Sequence, residues 1–224
     1  IRRAVPPSTR VLHAKGAVIE GNDTSGFAEA LAAAGSADVV VAVMGEHQDM
    51  SGEARNRTSL DLPGTQQPLL ERLHALGIPV VLVLTNGRPL SIPWAAEHIP
   101  AILETWYLGV QSGPALADVL FGDYNPSGKL PVTFPRHVGQ VPIYYNHKNT
   151  GRPASESDRY TSKYIDEHWT PQWVFGHGLS YTTFSYSRPR LSTTRLGPRA
   201  SLMVEVTVAN TGTRAGTEVV QLYL

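Results

Sequence analysis

Four carboxyl side chains, Glu46, Asp49, Glu53 and Asp61, fall within one polar loop at residues 45–64. The loop follows directly on an apolar run, Val-Val-Val-Ala-Val-Met, at residues 39–44. A carboxyl group in such a place can pass on a proton when burial or a neighbouring carboxylate brings its pKa towards neutrality. Four carboxyls on a polar loop are equally the composition of a solvated connection, and spacing alone does not separate the two readings. Arg57 lies among them. A guanidinium beside a proton donor would favour the ionised form, opposite to what an acid step needs. Arg57 is therefore read as a loop anchor, paired with Glu46 or Glu53. His47 and Asp49 beside Glu53 match no zinc spacing, so no metal is expected.

Several elements must hold this loop. The run 39–44 has the continuous β-branched character of a strand buried on both faces of a parallel sheet. Residues 80–84 and 101–103 repeat that character, and residues 10–13 read as a further short strand. Between them, the Ala-rich stretch 27–34 reads as a helix. Leu69, Leu73 and Leu76 mark one face of another, with Pro68 in its first turn and Gly77 as its stop. Residues 115–120, opened by Gly113-Pro114, read as a third helix. Strands alternating with helices predict an α/β fold, a three-layer α/β/α sandwich on a mostly parallel sheet. In such sheets ligands gather at the carboxyl ends of strands, where the loop after Met44 and the Thr85-Asn86-Gly87 turn both lie.

From residue 124 to about 181 periodicity disappears while aromatics persist (Tyr144, Tyr145, Tyr160, Tyr164, Trp169, Trp173, Phe175). Disordered segments are poor in aromatics, so this stretch is expected to be irregular but packed. Residues 183–187 and 202–208 alternate at period two, Asn210-Thr211-Gly212 is a turn, and residues 218–224 read as another strand: the opening of an antiparallel β-sandwich. The expected division is an α/β body over 1–135, an irregular linker over 136–182 and a partial β-sandwich over 183–224. The opening Ile-Arg-Arg-Ala-Val-Pro reads as the end of a helix and the close as mid-strand, so a piece of a longer chain is expected.

Composition excludes several classes. Lys+Arg and Asp+Glu are both 19 in 224 residues, a net charge of zero with no basic run, which argues against nucleic acid as a partner. No stretch is apolar enough to span a bilayer, and no basic amphipathic helix suggests binding at its surface. Cysteine is absent, which removes disulfides, thiolate metal sites and cysteine nucleophiles. No glycine-rich phosphate loop follows a strand, so no nucleotide cofactor is expected, and residues 109–113 place their serine one position late for a nucleophile elbow. Asn22 and Asn56 head glycosylation sequons, which matter only in a eukaryotic secretory setting.

Ordered strings through nearly the whole chain resemble glycoside hydrolase family 3. They are Val43-Met44-Gly45-Glu46 with Ser51-Gly52-Glu53 and Arg57, Leu84-Thr85-Asn86-Gly87-Arg88-Pro89-Leu90, Ala101-Ile102-Leu103-Glu104-Thr105-Trp106, the string from Ala117 through Gly122-Asp123-Tyr124-Asn125-Pro126-Ser127-Gly128-Lys129-Leu130-Pro131, Asn149-Thr150-Gly151-Arg152-Pro153, and Phe175-Gly176-His177-Gly178-Leu179-Ser180-Tyr181-Thr182. Bacterial periplasmic β-glucosidases are the nearest type. His177 stands where the family has an aromatic residue such as Tyr.

The resemblance implies an N-terminal (β/α)8 barrel upstream of Ile1, this α/β sandwich domain, then a fibronectin type III-like domain. It implies retaining hydrolysis of terminal non-reducing β-D-glucosyl residues, with xylosidase and N-acetylglucosaminidase specificities also found in the family. Such enzymes set two carboxyls about 5–5.5 Å apart across the scissile bond. The family pattern puts the aspartate nucleophile on the barrel and the general acid/base at Glu53, with Glu46 as the alternative. The partners implied are a β-glucoside or oligosaccharide and the barrel of the same polypeptide. The location implied is periplasmic or secreted, and the chain alone is expected to be inactive. A non-catalytic carbohydrate-binding piece is the other reading. Asn86-Gly87-Arg88-Pro89 is read as a structural turn and Trp106-Tyr107 as core. Tyr160, Tyr164 and Trp169 are read either as packing or as outer sugar contacts.

Overall fold

The computed structural model describes residues 1–223. Its centre is a three-stranded parallel sheet of β1 (Val40–Gly45), β2 (Val80–Thr85) and β3 (Ala101–Glu104), in the order β1-β2-β3. Val40 pairs with Val80 through to Gly45 with Thr85, and Val81 pairs with Ala101 through to Leu84 with Glu104. The parallel register brings the ends of all three strands to one edge. Helices α1 (Phe27–Ala34), α2 (Gln66–His74), α3 (Pro93–His98) and α4 (Ser112–Phe121) alternate with the strands. This is the α/β class that the alternating pattern predicts.

Each helix follows from local chemistry. In α1, Phe27, Ala30 and Ala34 point inward at i, i+3 and i+7. In α2, Pro68 sits in the first turn, where its missing N–H costs nothing, and Leu69, Leu70 and Leu73 are buried. Leu76 lies beyond that helix and is exposed, because the helix stops at His74 and Gly77 turns left-handed at φ 72°. A left-handed Gly122, φ 81°, ends α4. Helix α3 was not anticipated. Its six residues open with Pro93 and are too few to show a repeat.

The core unites Phe27, Ala30, Leu69, Leu70, Leu73, Ala42, Met44, Leu82, Leu84, Leu90, Ile92, Ala95 and Ile99. Central β2 is covered on both faces, with Val80, Leu82, Val83 and Leu84 all buried. Edge strand β1 is covered on one face only: Ala42 and Met44 point in, whereas Val43 is 64% exposed. Its apolar run therefore overstates its burial, because no described element lies over that face. Residues 10–13, expected as a strand, are irregular, as no described strand pairs with them. Residues 1–5 form a turn closed by Ala4 N–H to the Ile1 carbonyl at 2.7 Å, not a helix end.

The segment after α4 is irregular, as its loss of periodicity suggested; Tyr144, Tyr145, Tyr160 and Tyr164 are exposed, while other parts of it pack. Phe134, 1% exposed, bridges to Trp173 by backbone hydrogen bonds and packs edge-on against its ring. Buried Gln140 donates to the His168 carbonyl at 2.7 Å. Antiparallel pairs then follow: β4 (Phe184–Tyr186) with β7 (Val208–Asn210), and β5 (Arg190–Leu191) with β6 (Val204–Glu205). The alternating run 202–208 is thus split between two strands. Residues 218–223 form no strand, although Glu218 pairs with Lys129 and Gln221 donates to the Gly176 carbonyl, and residue 224 lies outside the described residues.

Leu82, fully buried at mid-sheet, sets a test of this core. Leu82→Ala is expected to lower unfolding free energy by about 2–5 kcal/mol, read as a lower urea midpoint with an unchanged denaturant slope.

Candidate functional site

Strand β1 delivers the loop through Gly45, at φ 139°. A Cβ there would strike the Thr85 backbone of the paired strand, so the exit from the sheet requires glycine. Glu46 follows, with its N–H on the Thr85 carbonyl at 2.8 Å and a side chain that solvent does not reach. Its carboxylate accepts from Arg57 Nη1 at 2.6 Å, Arg88 Nε at 3.0 Å and the Gly87 N–H at 3.3 Å. Burying a carboxylate is tolerable only with such partners, and here two guanidiniums share one. This is the geometry of an acceptor at the foot of a loop.

The same arginines reach the loop backbone. Arg88 Nη2 donates to the carbonyls of Met50 and Arg55, the latter at 2.9 Å. Arg57 Nη2 donates to the Asp61 carbonyl at 3.1 Å. Buried Gln66 ties the two ends of the loop together: Oε1 accepts the Gly45 N–H at 2.7 Å, and Nε2 donates to the carbonyls of Gly45 and Pro63, both at 2.8 Å. The Tyr107 hydroxyl donates to the His47 carbonyl at 2.9 Å. Burial, then the Glu46 carboxylate, push that phenol's pKa up, which keeps it a donor.

Above these tethers the loop turns back on itself. Arg55 N–H bonds the Gly52 carbonyl at 3.2 Å. Glu53 and Ala54 occupy the middle of the turn, and Ala54 takes the positive φ, 58°, of a type II turn's third position. Glu53 is exposed, and among the described residues no hydrogen bond or ion pair engages its carboxyl. The loop is thus fixed at its foot and carries one unengaged carboxyl at its tip.

A further carboxyl lies at the end of β3. Glu104 accepts the Trp106 N–H at 2.9 Å through Oε1 and Asn86 Nδ2 at 3.2 Å through Oε2. Burial pushes its pKa up to about 7, against the opposing pull of those two donors.

Of the residues singled out from sequence, the structure joins Glu46 to Arg57 and sets Glu53 apart. Of the two partners considered for Arg57, the structure pairs it with Glu46, and its other terminal nitrogen donates to the Asp61 carbonyl. Asn86 and Gly87 form the turn that faces Glu46. Trp106 packs against Phe134 with ring centroids 5.9 Å apart, whereas Tyr107 is more exposed than a core reading implies. Tyr160 and Tyr164 are exposed and Trp169 stacks on His168. His47 and Asp49 pair with each other at 3.2 Å. Sequence reasoning missed Arg88, Gln66 and Glu104 as parts of this site. Their signal was position, since Arg88 and Glu104 end or follow neighbouring parallel strands. Gln66 had no signal beyond a polar residue at an inward helix position.

Comparison with known proteins places this geometry. The glycosyl hydrolase family 3 C-terminal domain matches residues 3–181. A periplasmic β-glucosidase of Salmonella typhimurium is 52% identical over 88% of this chain and 26% of its own length. A β-xylosidase of Formosa agariphila is 44% identical over 100% of the chain and 30% of its own. A crystal structure of a β-glucosidase from Listeria innocua with glucose superposes with a TM-score of 0.84 at 40% identity, over 88% of this chain and 28% of that one. The chain therefore spans under a third of the length of these relatives.

Glu104 gives the chain a pH dependence whose sign is fixed. Its folded pKa, about 7, exceeds the ordinary 4.5. The stability it contributes is full below the ordinary value and is lost as pH rises towards 7. Glu104→Gln is expected to flatten the fall in unfolding free energy between pH 5 and 7.5, by at most about 3 kcal/mol. Urea unfolding across that range checks it, and identical slopes for the two proteins would exclude Glu104 as the source.

Proposed function

This chain belongs to glycosyl hydrolase family 3, and on that premise we propose that it supplies the general acid/base of a retaining β-glucosidase, with Glu53 as that group. The observation that carries the reading is the exposed, unengaged carboxyl at the tip of a loop whose foot is tied down at several points. In double displacement the acid protonates the glycosidic oxygen as it leaves. The resulting carboxylate then takes a proton from the water that attacks the glycosyl-enzyme intermediate. The aspartate nucleophile is assigned to a (β/α)8 barrel elsewhere in the same polypeptide, for which the length of the relatives leaves room. Glu46, held by two guanidiniums, serves as the loop's foundation, and Arg57 and Arg88 connect it to the loop backbone.

The substrate class proposed is terminal, non-reducing β-D-glucosides, following the Salmonella and Listeria relatives. The β-xylosidase that matches the whole chain favours β-xylosides as the second reading. The reading includes an α/β body over residues 1–135, a packed linker over 136–182 and the start of a fibronectin type III-like domain over 183–224, supported by a family match that ends at residue 181. A periplasmic location is proposed from the Salmonella relative. No cofactor enters the chemistry, and among the described residues no helix is long and apolar enough to cross a membrane.

In the parent polypeptide, Glu53→Ala is expected to lower kcat on an aryl β-glucoside by about 10²–10⁴. Azide should restore part of the rate, because it attacks the glycosyl-enzyme without needing a general base. Glu46→Ala should instead cost stability, about 3 kcal/mol, by leaving two partly buried guanidiniums without a counter-ion, and azide should not restore it. A wild-type rate for Glu53→Ala, indifferent to azide, would exclude the assignment. Parallel rates on aryl β-glucoside and β-xyloside choose between the two sugars.

A further inference from the structure

We infer that Glu104 is a positioning residue for the proton-transfer loop: its two carboxyl oxygens join the two tethers by which the ends of β2 and β3 hold residues 47–57. The inference rests on the reading of Glu53 given above and extends it to a side chain on another strand. Among the described residues the Glu104 carboxyl bonds Asn86 and Trp106 and not Glu53, so its action is through neighbours.

The first tether runs through Asn86. Its Nδ2 donates both to Glu104 Oε2, at 3.2 Å, and to the Arg88 carbonyl, at 2.8 Å. These two acceptors fix which way the amide faces. They leave Asn86 Oδ1 buried with no partner among the described residues, an arrangement that persists only if the Nδ2 contacts outweigh it. Arg88, whose backbone is held in this way, sends its guanidinium to Glu46 and to the carbonyls of Met50 and Arg55. The turn holding Glu53 thus hangs on Arg88.

The second tether runs through Trp106. Glu104 Oε1 accepts the Trp106 N–H at 2.9 Å, closing a tight turn in which Trp106, a non-glycine residue, adopts φ 52°. Such a conformation costs energy and needs its surroundings to hold it. It carries the chain to Tyr107, whose hydroxyl grips the His47 carbonyl at 2.9 Å at the opposite end of the loop. The same ring stands where a side chain on Gly87 would go, so the two tethers also pack against each other. One carboxylate, with one oxygen for each donor, keeps both turns in register.

The test separates positioning from mere loss of stability. A misplaced general acid harms substrates whose leaving group needs a proton and spares those whose leaving group does not. In the parent polypeptide, Glu104→Ala is expected to reduce kcat/KM on an alkyl β-glucoside by roughly 10–100-fold. On a 2,4-dinitrophenyl β-glucoside it should reduce kcat/KM by less than about threefold, because that leaving group departs without a proton; kcat on that substrate reads the later general-base step instead. In the 224-residue chain itself, backbone amides within residues 48–56 should exchange about tenfold faster than in the unaltered protein. Glu104→Gln, which retains one acceptor oxygen, should fall between, and it carries the same test if the alanine variant does not fold. Glu53→Ala is run alongside. Graded loss in Glu53→Ala with ungraded or absent loss in the Glu104 variants, or unchanged exchange in the loop, overturns this inference alone. Ungraded loss in Glu53→Ala as well overturns the assignment of Glu53 and this inference with it.

Discussion

The carboxylate of Glu46, shared by Arg57 and Arg88 where solvent does not reach it, is the interaction on which the loop depends. Each arginine spends part of its guanidinium on that carboxylate and the rest on loop carbonyls. Planar guanidinium suits this double duty in a way that a lysine ammonium would not. The cluster carries an excess positive charge, since two cations face one anion. Backbone carbonyls at Met50, Arg55 and Asp61 absorb the remaining donors, so the charge orders the loop instead of merely being neutralised. The parallel sheet makes this possible by bringing the exits of β1 and β2 side by side.

That arrangement places two glutamates only seven positions apart in opposite environments, which suits the different roles proposed for them. Glu46 gives up all freedom to become a fixed point, while Glu53 keeps a carboxyl engaged by nothing else described. Environment, not residue type, separates the roles, as it does wherever two carboxyls in one site do different work. The turn between Gly52 and Arg55 accepts a left-handed Ala54 to present Glu53. Local strain is common where a side chain must be held out for a purpose, and a purely solvated connection would gain nothing from it.

Much of the fold was legible because its signals are local. The Ala-rich run at 27–34 and the β-branched runs at 39–44 and 80–84 are visible in any short window, and they emerged as α1, β1 and β2. Strands at 10–13 and 218–223 were read from composition, yet a strand exists only with a partner, and composition says nothing of partners. Helix α3 escaped because six residues cannot display a period of 3.6. In the site, the acidic loop was readable, and so was the pairing of Arg57 with one of two glutamates. The choice of Glu46 as partner was not, because it depends on Arg88, 42 residues further along the chain. Parallel topology sets that pairing, and no spacing rule within the loop contains it. Glu104 was hidden for the same reason: within its own strand it is only the polar residue that ends an apolar run.

The distribution of anchors bears on how the loop works. Its tethers from outside come from the ends of the strands, Ser91 and the start of α2, and they act on Gly45, Glu46, His47, Met50, Arg55, Leu60 and Pro63, while Arg57 adds bonds within the loop to Glu46 and Asp61. The stretch 52–54 has only its own turn. A carboxyl that must first donate and then accept a proton, from atoms whose positions change between the two steps, needs a small range of movement around a fixed mean. A rigid foot with a short unanchored tip provides that, whereas a rigid tip would suit one step at the expense of the other. The acid/base role proposed for Glu53 fits the place of the buried cluster beneath the loop and not beside that residue: guanidiniums at the tip would favour the ionised form of a proton donor, while at the foot they supply order.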